Sequence, residues 1–225
     1  RILDKIDVMN ASFITTSPSV LNFLPQNKKN FYIPNPSDQS FETLNNYKKS
    51  CSVDVFFALS HGVHRGKLKS GKEDDRIIFL DKLQKITSDV KFDLYGINNV
   101  QPIWADHYFK TIANAKMGLN LSRGEAIKYY SSDRITQIVG NGLVCLIDEK
   151  TQYRDFFNND EMVFYKNLND LSEKIMKISK DDKLRKKIAH RGKKKYMKFF
   201  NSTNVANFII NKTLEIKDKK YLWES

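Results

Sequence analysis

Cysteine and histidine are scarce. Cys51 and Cys145 give neither a disulfide framework nor a metal-ligand spacing, and His61, His64, His107 and His190 form no ligand pattern. Cys145 sits inside the apolar run LVCLI and reads as a small core residue. No apolar run approaches the roughly 18 residues that a membrane-spanning helix needs, and no signal peptide is visible. Sequons at Asn10, Asn120, Asn201 and Asn211 read as chance matches in an Asn-rich chain. No Ser-His-Asp order, metal cluster or carboxylate pair stands out, so hydrolytic nucleophilic catalysis has no support. The expectation is a reducing, cytoplasmic domain without a resident metal or cofactor.

What is present is a large apolar complement and a lopsided charge. Of 225 residues, 40% are apolar, including 15 Phe and 10 Tyr, enough for a sizeable core. Net charge is +12, and residues 172–225 hold 16 Lys/Arg against 6 Asp/Glu. Such a basic end suits a nucleic acid, an anionic membrane surface or plain solvent. Over 183–198 the helical pattern turns Leu184, Ile188, Tyr196 and the following Phe199 toward a core, leaving no repeated aromatic platform on the basic face. Nucleic acid is therefore the weaker partner, and a basic binding module is the alternative function.

Residues 1–50 read as the tail of something else: a short strand in ASFITTS, a helical turn in SVLNFL and a strand, FYIPNP, closed by proline. The polar stretch Ser37–Ser52 reads as a linker. A start at Arg1 fits an excised or processed piece. A regular alternation follows. VDVFFAL is a continuous apolar run, as in a strand buried on both faces. DDRIIFLDKLQKI places Ile77, Leu80, Leu83 and Ile86 on one helical face. VKFDLYG, MGLNLS, LVCLID and MVFY are further strands, separated by helical segments and closed by LNDLSEKIMKI and DDKLRKKIAHRGKKKYMKFF. Strands alternating with helices predict an α/β, Rossmann-like parallel sheet with helices on both faces. Ligands then bind beyond the carboxyl ends of its strands.

Three loops at those ends carry candidates. SHGVHRGKLKSGK (60–72) has Gly62 and Gly66 for close backbone approach and Arg65 and Lys67 for phosphate charge, although it matches neither the Walker pattern nor GxGxxG. In YYSSDRITQIVGNG, Ser131, Ser132 or Asp133 is placed to cap a helix beginning near Arg134. The same hydroxyls, with Arg134 and the helix N-terminus, make an anion seat. Glu125, in SRGEA, can accept from sugar hydroxyls, and Tyr95 and Asn98 can contact a base. Turn formation accounts for the Asn98–Asn99 pair equally well.

The stretch from SSDRITQIVGNG to KKKYMKFF resembles the carboxyl-terminal domain of GT-B glycosyltransferases, most of all the glycosyltransferase family 1-like branch related to CgeB-type proteins. That branch reads S-x-R-x-x-E-x-x-A-x-G, then D-L, then R-x-x-I-A-x-x-G; the matches here are Ser132, Arg134, Gly140 and Gly142, Asp170 and Leu171, and Arg185, Ile188, Ala189 and Gly192. The resemblance covers about residues 53–200. It implies metal-independent transfer from a nucleotide-diphosphate sugar to a saccharide, lipid or protein acceptor, as in bacterial cell-surface polysaccharide synthesis. Arg65, Lys67, Ser131, Ser132 and Arg134 would hold the donor phosphates. The family's ribose-holding glutamate falls at Gln137, with Glu125 a substitute; this departure also raises a catalytically silent relative. Residues 1–50 would be the remnant of an acceptor domain plus linker, 51–200 the nucleotide-sugar domain, and 201–225 a helix packing back on it or on the acceptor side. The fragment alone would be inactive, and 183–198 could touch the inner membrane face peripherally.

Overall fold

Alternating apolar runs become strands, and a computed structural model of the chain describes residues 11–59, 74–217 and 220–224. The main sheet contains β3 (Val53–Ala58), β4 (Phe92–Tyr95), β5 (Ala115–Asn120), β6 (Val144–Asp148) and β7 (Val163–Tyr165). All pairings are parallel, in the order β4-β3-β5-β6-β7. The helices between and after them are α1 (Asp75–Ile86), α2 (Ala105–Ile112), α3 (Arg134–Gly140), α4 (Leu168–Lys180), α5 (Asp182–Phe199) and α6 (Ser202–Thr213).

Period-two alternation splits the core. Val55 and Phe57 of β3 and Val144 and Leu146 of β6 face a cluster with Leu80 and Leu83 of α1 and Leu171 and Ile175 of α4. Phe56, Cys145 and Ile147 face the opposite cluster, with Ile112 of α2, Ile135 and Ile138 of α3 and Tyr196 of α5. The expected α/β sheet with helices on both faces is thus observed. Leaving β3, the chain goes outward to β4, then returns past β3 to β5. That reversal opens a crevice at the carboxyl ends of β3 and β5. Gly118 of β5 lets α3 press close there: a Cβ would meet Ile138 Cγ1 at 2.5 Å.

A second, two-stranded parallel sheet pairs β1 (Ala11–Ile14) with β2 (Lys29–Tyr32). Phe13 stacks on Phe31 at 5.5 Å, and both meet Phe208 of α6 edge-on. Helix α6 therefore packs on this small layer. Its link to α5 runs beside the exit of β2: Ser37 N–H donates to Phe200 O and Ser202 N–H to Ser37 O.

Two expectations change. The 37–52 stretch is no free linker. Asn46 is fully buried, its Nδ2 donating to Ile112 O and Ala115 O, and the buried Arg185 donates to Asn46 O and Lys49 O. The Asn46 side chain serves backbone carbonyls rather than water. On α1 the inward face is Arg76, Leu80 and Leu83, whereas Ile86, in the last turn, is 42% exposed. Arg76 tolerates burial because Asp74 accepts from its Nε and Nη2.

Candidate functional site

Arg134 opens α3 at the crevice. Its Nε donates to Ala58 O (3.2 Å), and its Nη1 to Leu121 O (3.2 Å) and Ser132 Oγ (2.8 Å). The guanidinium carbon lies 4.8 Å from the Phe57 ring centroid. Ala58 ends β3 and Leu121 follows β5, so one side chain joins the two strand ends flanking the reversal. Desolvation draws the Arg134 pKa below its usual value, while the nearby Tyr108 phenol works the other way. Among the described residues its Nη2 has no hydrogen-bond partner.

Arg134 lines a cavity of about 260 Å³ together with Trp104, Tyr108, Asp133 and Gln137. The Tyr108 hydroxyl is buried and has no partner among the described residues; burial raises its pKa, so it stays neutral. Trp104 is 61% exposed at the rim. Ala105, next to it, has φ +49°, a left-handed conformation that costs a non-glycine residue about 1–3 kcal/mol. A cationic edge, a phenol, an amide and a flat indole thus converge, with the exposed Asp133 carboxylate beside them. They can hold an anionic group, bond hydroxyls and stack a planar ring.

The sequence candidates fall in several places. Arg134 and Gln137 share the cavity. Ser131 and Ser132 adjoin it, but their hydroxyls face protein. Ser131 Oγ shares a 2.8 Å hydrogen bond with Tyr153 Oη and accepts from Asn35 Nδ2. Ser132 Oγ donates to Asn120 Oδ1 at 3.0 Å. Capping of α3 by these residues is corrected: Asp133, just before the helix, already has helical φ −50° and ψ −22° and makes no side-chain cap bond. With both serines engaged elsewhere and only seven residues in α3, local cation chemistry at this corner comes from Arg134.

Tyr95 and Asn98 line a separate groove. The Tyr95 ring meets His107 edge-on at 6.2 Å, and Asn98 Nδ2 donates to Asp81 Oδ1 of α1 at 2.7 Å. Glu125 and Arg123 are exposed on a loop whose Gly124 N–H donates to Asp75 Oδ2. Gly62, Arg65, Gly66 and Lys67 lie outside the described residues. Sequence reading missed Trp104 and Tyr108, although their spacing of four, one helical turn, was a usable signal. It also missed Asp74, whose carboxyl the hydrogen-bonded Arg76 holds below its usual pKa. The described residues contain no group of three or more His, Cys, Asp or Glu that could hold a metal ion.

Among solved structures the chain is similar to TarM, with 15% identity and TM-score 0.66 over 94% of this chain and 45% of that one. It is also similar to a variant of S. aureus TarM in complex with fondaparinux, alpha-GlcNAc-glycerol and UDP, with 14% identity and TM-score 0.67, covering 94% of this chain and 45% of that one. The pneumococcal O-GlcNAc transferase GtfA in complex with UDP and GlcNAc matches at 11% identity and TM-score 0.58, over 95% of this chain and 46% of that one. The chain spans about half the length of these structures. No curated protein sequence matches. The profile of the glycosyl transferase-like family covers residues 76–211, more than half of the chain, which therefore belongs to that family.

Proposed function

We propose that this domain binds the nucleoside-diphosphate part of a nucleotide sugar, and that the whole protein transfers the sugar to a glycan, lipid-linked or protein acceptor. Arg134 is the observation that carries this reading. Its inner edge is fixed on Ala58 O and Leu121 O, and its outer nitrogen has no partner among the described residues, at a cavity of the right character. Among the described residues Arg134 has no ion pair for an anion to displace. In this reading Arg134 stabilises the leaving diphosphate electrostatically, without a resident metal, and the basic 60–72 loop, with Arg65 and Lys67, adds charge. Ser132 sets the Arg134 geometry, with Ser131 bonded to Tyr153 and Asn35 behind it; Gln137 meets ribose or sugar hydroxyls and Trp104 offers a stacking surface. Complexes of similar structures with UDP support a nucleotide donor. The matched motif residues Ser132, Arg134 and Gly192 favour the CgeB-related branch, acting at the cytoplasmic side.

Calorimetric titration of UDP-, GDP- and ADP-sugars tests this directly. One nucleotide class should bind, and Tyr108→Phe and Gln137→Ala should each weaken it about 2–10-fold, as loss of one hydrogen bond does. Silence from all three classes would sink the proposal. Gln137 motivates a second reading, a relative that binds donor but does not turn it over: binding with no sugar release by the whole protein would favour it.

A further inference from the structure

Helix α5 carries nine Lys/Arg and one Asp over residues 182–199. Its inner stripe is Arg185, Ile188, Ala189, Gly192 and Tyr196. Five of the cations are engaged. Arg185 and Lys186 meet Asp182, Arg191 meets Asp160, Lys195 meets Glu161, and Lys193 donates to Glu42 O and Leu44 O. Lys183, Lys187, Lys194 and Lys198 are all exposed, and none has a carboxylate partner among the described residues. At about 100° and 1.5 Å per residue, these four fall within an arc of about 60° on a line about 22 Å long. Like charges so aligned raise one another's energy, and the nearby Asp160 and Glu161 carboxylates are already paired with Arg191 and Lys195.

We infer that this lysine ridge docks the protein peripherally on an anionic lipid bilayer. The ridge runs along one exposed helix face between two shallow grooves that Lys194 and Lys198 also line. All four charges are lysine ammoniums, point charges suited to a diffuse negative potential rather than to bidentate recognition of particular phosphates. The rings near them form no open stacking row: His190 packs on Tyr47 at 4.7 Å, and the Lys198 ammonium covers Phe199 at 4.9 Å. The exposed ring beside them, Phe41 at 68% exposure, precedes the Glu42 whose carbonyl holds Lys193. Gln39, two residues before it, lines a groove with Lys194 and Lys198, so Phe41 is the apolar group that this docking would offer to the headgroup layer. No helix of the described residues is long and apolar enough to cross a membrane, so this contact is superficial.

Co-sedimentation of the 225-residue chain with vesicles tests the inference. Phosphatidylcholine vesicles containing about a third phosphatidylglycerol should bind it at low salt; pure phosphatidylcholine should not, and salt of about 0.5 M should release it. The combined Lys183→Gln, Lys187→Gln, Lys194→Gln and Lys198→Gln variant, shown to be folded by circular dichroism, should lose at least about 100-fold in affinity, given about fivefold per lysine. Phe41→Ser should lose several-fold more weakly. Equal binding to both vesicle types, an unaffected quadruple variant, or tighter lysine-dependent binding to duplex DNA than to the anionic vesicles would each overturn it.

Discussion

Asn35 donates from Nδ2 to both the carbonyl (2.9 Å) and the Oγ (3.1 Å) of Ser131, 96 residues further along the chain. Its own carbonyl accepts from Tyr196 Oη of α5 at 2.7 Å. The residue between Pro34 and Pro36 thereby ties the corner before α3 to the back of the domain, and Ser132 passes that restraint to Arg134. Asn35→Ala should cost about 1–2 kcal/mol in urea unfolding, the loss of a partly buried hydrogen-bonded pair. It should also weaken nucleotide-sugar binding a few-fold with no contact to ligand removed. Unchanged affinity would mean that Arg134 holds its place without this brace.

Arg134→Lys should behave as a loss rather than a conservative change. One ammonium cannot reach Ala58 O, Leu121 O and Ser132 Oγ in the directions that the guanidinium fork uses. The expected cost is about 1.5–3 kcal/mol of stability, the worth of a charged hydrogen bond, with donor affinity down more than about tenfold. Chemical denaturation and calorimetry on the same preparations separate the two effects.

Gly192→Ala should destabilise by about 1–3 kcal/mol through overpacking. A Cβ at this position would meet Glu161 O at 2.3 Å, and backbone cannot swing aside as a flexible side chain does. The melting temperature should fall while the affinity of the folded protein for nucleotide sugar stays unchanged. A fall in affinity at constant stability would place Gly192 in the ligand site instead.

The legible parts of the sequence were those where one element repeats its own period. In R-x-x-I-A-x-x-G, Arg185, Ile188 and Ala189 are all buried on the inner stripe of α5 with Gly192, so the resemblance was carried by packing. The β3 run was equally plain because both of its faces are covered. Arg134 and Gln137 could be paired because three residues apart on a helix means one face. Trp104 and Tyr108 belong to α2, and only the sheet order brings them to α3. Nor does polarity alone reveal burial: Asn46 and Arg76 look solvated in sequence, yet Asn46 is buried on the distant carbonyls of Ile112 and Ala115, and Arg76 on the carboxylate of Asp74 two residues before it.

Asp38 should leave a mark on acid stability. Its carboxylate accepts from Ser202 Oγ and from the N–H and Oγ of Ser40, which hold its pKa down at about 2 from the ordinary 3.8. The folded value lies below the unfolded one, so the stabilisation is complete above about pH 4 and is lost as pH falls toward 2. Melting temperatures of wild type and Asp38→Asn should therefore differ near neutrality and converge by about pH 2. A constant difference across that window would show that the carboxylate charge is not what Ser202 recognises.

Gln137→Glu probes the proposed contact with ribose or sugar hydroxyls. The Gln137 side chain lines the cavity with Arg134, and its amide has no hydrogen-bond partner among the described residues. An amide offers one acceptor and one donor group; a carboxylate accepts at both oxygens and bonds hydroxyl donors more strongly. If ribose hydroxyls meet this position, the glutamate should tighten nucleotide-sugar binding about 3–10-fold, roughly one hydrogen bond strengthened by charge. The 2′,3′-dideoxy nucleotide should gain nothing. If a phosphate oxygen lies there instead, the added charge repels it, and affinity should drop for both ligands alike. The two ligands therefore separate a hydroxyl-binding role from an electrostatic one, and equal loss with both would move the ribose away from Gln137.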